Sequence, residues 1–319
     1  MVLIKNKEVQ VLLSSYNGEK YIHEQLDSLE SQRLTNIDLT VLIRDDGSKD
    51  ATSSILKQYS DQYPQLYHYI EGDNLGAKGS FFKLIQMANP NKDYYAFCDQ
   101  DDIWAKDKLQ RAIQCLESEG DLDRPLMYCS STQMVDSNLV PLQVWPKAPR
   151  LPISIHNALV ENIAVGCTMV INRAAMNLMK EHQPNNLDHV IMHDWWVYLV
   201  ISAFGKVLFD SEPHILYRQH QENVQGGQAN SGLKFWVQRT NKMINGKVIN
   251  NKFSRQAIEF LNCYKGLLQE DQESLVIEFI EGINKGIVHR IRFVKKSPIY
   301  RHSIIDNYLL KAMYLLKRV

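Results

Sequence analysis

The sequence lacks several features that would place it in other classes of protein. No run of 18 apolar residues occurs among its 319 residues, and Lys5, Lys7 and Glu8 interrupt the apolar start, which argues against a membrane span and a signal peptide. Its 36 Lys and Arg balance 36 Asp and Glu, so the net charge gives no reason to expect a nucleic-acid partner. We therefore expect a globular protein that is made in the cytoplasm and stays there.

Two further patterns are missing. The five cysteines are odd in number and widely spaced without a C-x-x-C pair, which predicts buried reduced thiols rather than disulfides or a zinc site. Neither G-x-x-x-x-G-K-[ST] nor G-x-G-x-x-G occurs, so the chain has no P-loop and no dinucleotide fingerprint. If the protein binds a nucleotide, other residues must hold it.

The first 120 residues alternate short apolar runs with helical patterns. The predicted strands are Val9–Ser14, Leu39–Arg44, Tyr67–Glu71 and Tyr94–Cys98, and helices are predicted from about Glu19, Ala51, Ser80 and Ala105. This alternation indicates βαβ units and an α/β fold with a mostly parallel sheet flanked by helices. Residues 1–230 are predicted to form this domain, and the longer helical patterns of residues 231–319 predict a helical C-terminal region.

Polar clusters follow all four predicted strands. They are Ser15 to Gly18, Asp45 to Ser48, Asn74 to Gly76 and Asp99 to Asp102. In an open parallel sheet, ligands bind at the carboxyl ends of the strands, where such loops converge. The four clusters therefore predict one site at that edge of the sheet.

The acidic run Asp99-Gln100-Asp101-Asp102 is the strongest of these signals. Crowded carboxylates repel one another, and a bound cation offsets that repulsion; hard oxygen ligands favour Mg²⁺ or Mn²⁺ over zinc. The alternative is that an Asp caps the following helix, although one cap requires one Asp and not three. We therefore predict a divalent metal that holds a substrate diphosphate.

The first two clusters have two interpretations each. The carboxylate of Asp45 or Asp46 can accept a hydrogen bond from ribose hydroxyls or a base N–H. The loop of Ser15, Tyr16 and Asn17 can supply backbone groups that hydrogen-bond a nucleobase. Turns and helix caps explain most of the same residues. The turn interpretation leaves Asp46 unexplained.

Two later motifs complete the candidate set. In His193-Asp194-Trp195-Trp196, the tryptophan faces suit stacking on a sugar ring, and Asp194 could deprotonate a sugar hydroxyl. A helix cap and core packing are the alternative roles. In Tyr217-Arg218-Gln219-His220, followed by Asn223, the arginine suits a diphosphate oxygen and the histidine a metal or phosphate, but both are also common as solvated surface residues.

Taken together, the segments SYNGEKYI, RDDGSKD, NLG, DQDDIW, HDWW and YRQH occur in an order that resembles family-2 glycosyltransferases with the GT-A fold. The resemblance runs from Val9 to about Asn223. It implies Asp194 as the base of an inverting reaction and a metal, Mn²⁺ or Mg²⁺, at Asp99, Asp101 and His220. It implies nucleotide-sugar contacts from Ser15, Tyr16, Asn17, Asp45, Asp46, Gly76, Lys78, Asp99, Gln100 and Arg218, and acceptor contacts from Trp104, Gly166, Thr168, Trp195 and Trp196.

Within that family the motifs look most similar to bacterial rhamnosyltransferases that build cell-wall or capsular polysaccharide. That resemblance implies a dTDP-β-L-rhamnose donor and an acceptor glycan carried on a polyprenyl lipid. A same-fold transferase that uses UDP-glucose, UDP-galactose or another donor is an alternative, because a few pocket residues decide the donor. A non-catalytic sugar-nucleotide-binding subunit of a polysaccharide assembly is an alternative of another class.

The charge is unevenly distributed along the chain. Residues 231–319 contain 16 Lys and Arg against 7 Asp and Glu, whereas residues 1–230 contain 20 against 29. From residue 285 onward, nine basic residues are interleaved with apolar ones and accompanied by one acid, Asp306. This basic amphipathic end predicts either binding to the inner face of the cytoplasmic membrane as a peripheral protein, or the packing of a homodimer.

Overall fold

The computed structural model describes residues 6–220 and 251–319. The predicted boundary between residues 230 and 231 lies outside the described residues, as does Asn223, so the domain division remains a prediction. In the described part, a central seven-stranded sheet is flanked by helices, a second sheet of four strands lies beside it, and helices make up the C-terminal region. The predicted α/β class is confirmed.

The central sheet has the strand order β10-β6-β9-β4-β1-β2-β3. Its strands are β1 Lys7–Ser15, β2 Ile37–Asp45, β3 Tyr67–Glu71, β4 Tyr94–Cys98, β6 Leu126–Ser130, β9 Val170–Asn172 and β10 Lys206–Asp210. All pairings are parallel except those of β9 with β4 and β6. The four strands predicted from the first 100 residues are therefore present, with β1 and β2 adjacent in register from Lys7 opposite Ile37 to Ser15 opposite Asp45.

The two faces of this sheet bury different parts of the core. Alternate side chains of β1 point in opposite directions, so that Leu12 packs into one hydrophobic cluster while Val11 and Leu13 pack into another. Because both faces are covered by helices, the strand has to be apolar almost throughout. This is why its sequence forms a continuous apolar run.

Most helices before residue 220 bury one side, whereas α7 is buried nearly all round. They are α1 Ile22–Glu30, α2 Thr52–Gln62, α3 Gly76–Met87, α4 Lys108–Glu117, α5 Ile155–Ala158, α6 Arg173–Glu181 and α7 His193–Phe204. In α1 the buried residues include Ile22, Leu26 and Leu29, at the spacing that the sequence predicts. Helix α3 begins at Gly76, four residues before its predicted start.

The sequence analysis does not predict the second sheet. It consists of β5 Ile103–Trp104, β7 Thr132–Val135, β8 Pro141–Trp145 and β11 Ile215–Arg218, in the order β5-β11-β7-β8. Trp104 lies opposite Ile215 in an antiparallel pair, which delays the helix predicted from Ala105 until Lys108. This pairing brings the YRQH segment beside the acidic loop after β4.

The C-terminal region contains four helices after residue 250, numbered α8 Lys252–Tyr264, α9 Glu270–Asn284, α10 Ile287–Lys296 and α11 Ile304–Leu315. Helix α10 is not predicted from the sequence. The region packs on the first part of the chain through aromatic rings, with Trp195 against Phe253 and Trp196 against Phe260. In the parts of the chain that the structure describes, no helix combines the length and the apolar character needed to cross a membrane.

Candidate active site

A pocket of about 1150 Å³ lies at the carboxyl ends of β1, β2 and β4. The predicted residues that line it are Tyr16, Asn17, Asp46, Gly76, Asp99, Gln100, Asp101, Gly166, Asp194, Trp195 and His220. Its position is the one expected for a ligand site in an open α/β sheet. The fold thus brings together residues that are up to about 200 positions apart in the sequence.

The acidic loop after β4 pairs with the end of the second sheet. The Nε2 atom of His220 lies 2.6 Å from Oδ2 of Asp101, and both side chains are mostly buried. Burial, followed by the neighbouring charges of Asp101 and Asp194, raises the pKa of Asp99 to about 7. A carboxyl group with such a pKa is costly to ionise, and a divalent cation would offset that cost.

The third acid of the run has a different role from the first two. Asp102 is fully buried, and its Oδ1 accepts from the backbone N–H of Arg218 at 3.1 Å. Ligand atoms of Asp99, Asp102 and Cys167 lie within 4.8 Å of one another, but burial raises the pKa of the Cys167 thiol, which keeps it protonated. Oxygen and imidazole donors at Asp99, Asp101 and His220 fit Mn²⁺ or Mg²⁺ better than a protonated thiol does.

Gln100 connects the acidic loop to the loop after β1. Its Oε1 accepts from the hydroxyl of Ser15 and from the backbone N–H of Tyr16, both at 2.8 Å, while its Nε2 donates to the carbonyl of Tyr16 at 2.9 Å. A Cβ at Gly18 would lie 2.2 Å from the same Oε1, so this close approach requires glycine. The Gln100 amide therefore fixes the shape of the loop predicted to hold the nucleotide. Ser15 is buried and contributes to this shape through its hydrogen bond to Gln100.

The two acids after β2 are used differently. Asp45 accepts from the backbone N–H and the hydroxyl of Ser48, so its carboxylate stabilises the turn and does not line the pocket; its contact with the nucleotide stays a prediction. Asp46 forms a buried ion pair with Arg44, accepts from the backbone N–H of Leu75 and also lines the pocket. The residue that the turn interpretation left unexplained is thus the one at the pocket.

Asp194 lies in the first turn of α7 at the other side of the pocket. Its Oδ1 accepts a hydrogen bond from the backbone N–H of Trp195 at 2.7 Å. Burial raises the pKa of Asp194 to about 6. A Cβ at Gly166 would lie 3.2 Å from the Nε2 atom of His193 and 3.4 Å from the Asp194 Cβ, so glycine gives this loop a close approach to the start of α7. A buried carboxylate with a raised pKa is a stronger base than an exposed one and is still ionised at neutral pH.

His193, which was not predicted as a site residue, lies beside this acid. Its ring stacks on Phe81 with 3.8 Å between centroids, and burial lowers its pKa to about 3. The imidazole is therefore neutral at physiological pH. It adds no positive charge that would lower the basicity of Asp194.

Two basic residues predicted to contact the donor are occupied elsewhere. The Nζ of Lys78 donates to the carbonyls of Leu187 and Val190. Arg218 is 2% exposed; its Nε donates to the Asp101 carbonyl at 2.9 Å, and its Nη2 pairs with Glu24. Neither side chain lines the pocket, and both cations hold backbone segments in place; their contacts with the donor stay predictions.

Three predicted acceptor contacts are likewise structural. Trp104 is buried with the Nζ of Lys108 3.4 Å from its ring, and Trp196 packs against Phe260 and Tyr264 in the core. Buried Thr168 donates its hydroxyl to a backbone carbonyl within its own turn. None of the three lines the pocket, and their contacts with the acceptor stay predictions that this packing does not support. A sequence motif does not show which face of an element a side chain occupies.

Several pocket residues were missed by the sequence analysis, among them Trp145, Lys252, Arg301 and Asp306. Trp145 comes from the end of β8, and the other three come from the C-terminal helical region. No local pattern connects them with the motifs of the first 220 residues. Only the packing of the second sheet and of the C-terminal helices brings them to the site.

Comparison with known proteins finds a matching family and similar relatives. Residues 10–176 match the family described as Glycosyl transferase family 2. The dTDP-rhamnosyl transferase RfbG of Shigella flexneri is 29% identical over 259 residues, which cover 77% of this chain and 82% of that protein. The amylovoran biosynthesis glycosyltransferase AmsB of Erwinia amylovora is 29% identical over 56% of this chain and 57% of its own.

Two solved structures have a similar fold. Residues 1–349 of S. aureus TarS, in complex with UDP-GlcNAc, superpose with a TM-score of 0.54 at 17% identity, covering 98% of this chain and 81% of that one. The mannosyltransferase PcManGT from Pyrobaculum calidifontis, in complex with GDP-Man and Mn²⁺, gives a TM-score of 0.51 at 14% identity, covering 98% and 86%. At these identities the likeness shows the fold alone.

Proposed function

The chain belongs to glycosyl transferase family 2, and from that membership we propose that it is an inverting enzyme that transfers L-rhamnose from dTDP-β-L-rhamnose to a lipid-linked glycan. The reaction would serve the synthesis of a cell-wall or capsular polysaccharide. Membership of the family makes the chain a glycosyltransferase with the GT-A fold. The donor sugar, the acceptor and the roles of individual residues are the proposal.

One observation carries the mechanistic part of this proposal. Asp194 is close enough to Asp99 for its charge to contribute to the raised pKa of that group, and both line the same pocket. A transferase needs a base for the acceptor hydroxyl and a binding site for the departing diphosphate within one sugar's reach of each other. That the acid at the start of α7 and the acids after β4 line one pocket supports assigning them these two roles.

In the proposed reaction, Asp194 accepts the proton of an acceptor hydroxyl while the hydroxyl oxygen forms a bond to the anomeric carbon. The bond from that carbon to the nucleoside diphosphate breaks on the opposite face, and the diphosphate leaves with the electron pair. Asp99, Asp101 and His220 would hold a divalent metal, which, when bound, neutralises charge on the diphosphate. One displacement inverts the anomeric configuration without a covalent enzyme intermediate.

The rhamnose donor is proposed because of the similarity to a dTDP-rhamnosyl transferase over 77% of this chain. The test is to incubate the purified protein with Mg²⁺ or Mn²⁺ and dTDP-rhamnose, UDP-glucose, UDP-galactose or UDP-N-acetylglucosamine, and to measure nucleoside diphosphate release. We expect release from dTDP-rhamnose to be at least tenfold faster than from the others. Faster release from a UDP-sugar would reject rhamnose as the donor, and no release from any donor would favour a non-catalytic binding subunit.

Helices α10 and α11 also support a peripheral position on the membrane. Val288, Ile304 and Tyr308 are 78%, 68% and 70% exposed, in a segment with a large excess of basic residues. Exposed apolar side chains flanked by lysine and arginine suit the interface of an anionic bilayer. We therefore propose that α10 and α11 bind the cytoplasmic face of the membrane, where a polyprenyl-linked acceptor resides.

Sedimentation with vesicles of phosphatidylcholine and phosphatidylglycerol tests this membrane face. Replacing Val288, Ile304 and Tyr308 together with Ser should weaken vesicle binding by at least about tenfold, because each buried apolar side chain contributes on the order of 1 kcal/mol or more. The control replaces the exposed Val140 and Leu142 of the β8 region with Ser. Equal sedimentation of all variants, with loss of a dimer from the triple variant in size-exclusion chromatography, would instead assign the face to self-association.

A further inference from the structure

The C-terminal helical region forms part of the pocket wall on the side of Asp194. Lys252 at the first position of α8, Arg301 before α11 and Asp306 in the first turn of α11 all line the pocket. Trp195, the residue after Asp194, lines it beside them. The wall therefore combines side chains from two parts of the chain that are separated by more than 50 residues.

Arg301 is held in place by the first part of the chain. Its Nε and Nη2 donate to the carbonyl of Val160 at 2.9 and 2.6 Å, and its Nη1 lies 4.0 Å from Oδ1 of Asp306. Next to it, the backbone N–H of His302 donates to Glu161 at 2.8 Å. These contacts fix the guanidinium and the carboxylate at the pocket, where they are 10% and 14% exposed.

An aromatic layer connects this pair to the proposed base. The Arg301 guanidinium lies 5.2 Å from the ring centroid of Phe253, and the Phe253 ring lies 5.6 Å from that of Trp195. The indole of Trp195 is itself fixed by donation from its Nε1 to the Ala158 carbonyl at 2.7 Å. Arg301 and Asp306 are thus one ring away from the side chain that follows Asp194.

The charges of this wall indicate what it binds. Arg301 and Lys252 are matched by Asp306 and Glu161, so the wall has no excess positive charge for a phosphate group. Guanidinium and ammonium groups donate hydrogen bonds and carboxylates accept them, which suits sugar hydroxyls because each hydroxyl both donates and accepts. Trp145, which is 38% exposed at the pocket, adds an apolar indole face of the kind that packs on a sugar ring.

We infer that Arg301 and Asp306 form an acceptor subsite that binds a neutral sugar ring of the acceptor glycan and positions its hydroxyl toward Asp194. This inference rests on the proposed function, since it assigns the acceptor side of the same pocket. It also gives the C-terminal region a role in specificity besides any role at a membrane. Arg301 and Asp306 are positioning residues in this scheme and take no part in proton transfer.

The test uses the full-length protein with Mg²⁺ and dTDP, and measures the binding of four methyl glycosides by saturation-transfer difference NMR. The probes are the methyl glycosides of rhamnose, glucose, galactose and N-acetylglucosamine. Asp306→Asn and Arg301→Lys should weaken binding of the preferred glycoside by about tenfold or more, as expected for loss of a hydrogen bond to a charged group. The nucleotide Kd should remain that of the unchanged protein in both variants, and the melting temperature should do so in Asp306→Asn, whereas Arg301→Lys also loses hydrogen bonds to the Val160 carbonyl and serves only as a second binding measurement.

The matched controls are Asp271→Asn, which removes the same charge from the first turn of α9, and Arg292→Lys in α10. Both should leave glycoside binding unchanged. Unaltered glycoside affinity in Asp306→Asn, or a parallel loss of nucleotide affinity and thermal stability, would overturn the inference. The inference would also be overturned if the unchanged protein bound dTDP but none of the glycosides. That result would leave the donor side of the proposal intact. Failure to bind dTDP would instead count against the proposed donor.

Discussion

Replacing Asp194 with Asn should lower the rate of sugar transfer by about 10²- to 10⁴-fold, the range that a general base contributes. Asn cannot accept the hydroxyl proton, but it preserves the size of the side chain and the contact with the Trp195 backbone N–H. Nucleoside diphosphate affinity should therefore change little. Transfer is measured as product formed per enzyme at saturating donor, and binding by calorimetry.

Asp188→Asn is the matched control, because Asp188 is an exposed acid before the same helix and does not line the pocket. It should transfer sugar at the normal rate. Full turnover by Asp194→Asn would remove Asp194 from the base role, while loss of both transfer and nucleotide binding would indicate damage to the fold rather than to the chemistry.

The pH dependence gives a separate check on the same residue. Burial raises the pKa of Asp194 to about 6, so the group is mostly ionised at pH 7.5 and mostly protonated at pH 5. Only the ionised form accepts a proton, and kcat/KM should fall about tenfold for each pH unit below 6. A plateau that extends unchanged from pH 7.5 to pH 5 would show that no buried carboxyl group of this kind controls the reaction.

Replacing Asp99 and Asp101 together with Asn should have the second large effect. Both are predicted ligands of the divalent metal, and charge neutralisation by such a metal contributes several kcal/mol, so transfer should fall by about 10³-fold. Mn²⁺ or Mg²⁺ should no longer strengthen nucleoside diphosphate binding in calorimetry. If the double variant binds the nucleotide as tightly as before, with the same metal dependence, the metal assignment is wrong.

Asp99 should make the metal-free protein less stable at higher pH. Because the pKa of Asp99 is raised in the folded state, the native protein binds more protons than the unfolded chain between about pH 4 and pH 7, and the free energy of unfolding falls as the pH rises through that window. Asp99→Asn should therefore raise the melting temperature of the metal-free protein at pH 8. It should give no such gain at pH 4, where the carboxyl group is already neutral.

Of the residues predicted on the acceptor side, Gly166 and Trp195 line the pocket, whereas Trp104, Thr168 and Trp196 do not. Trp104 and Trp196 are next to, or part of, motifs that provide site residues, yet both face the core. The helical period that places Trp195 at the pocket turns its neighbour Trp196 toward Phe260 by about 100°. Which of two adjacent tryptophans meets the pocket depends on where α8 packs, and the sequence of α7 does not contain that information.

The sequence by itself determined the first four strands of the central sheet, the fold class and the loops at those strand ends, because these follow from local patterns: apolar runs, helical spacing, and polar residues that come directly after a strand. Asp46, Asp99, Asp101 and Asp194 line one pocket as those patterns predict. Only the tertiary structure decided how long-range partners are used. In the folded chain, Lys78 and Arg218 donate hydrogen bonds to backbone carbonyls, and Arg301 and Asp306 reach the pocket. Such contacts depend on packing between segments that are distant in the chain.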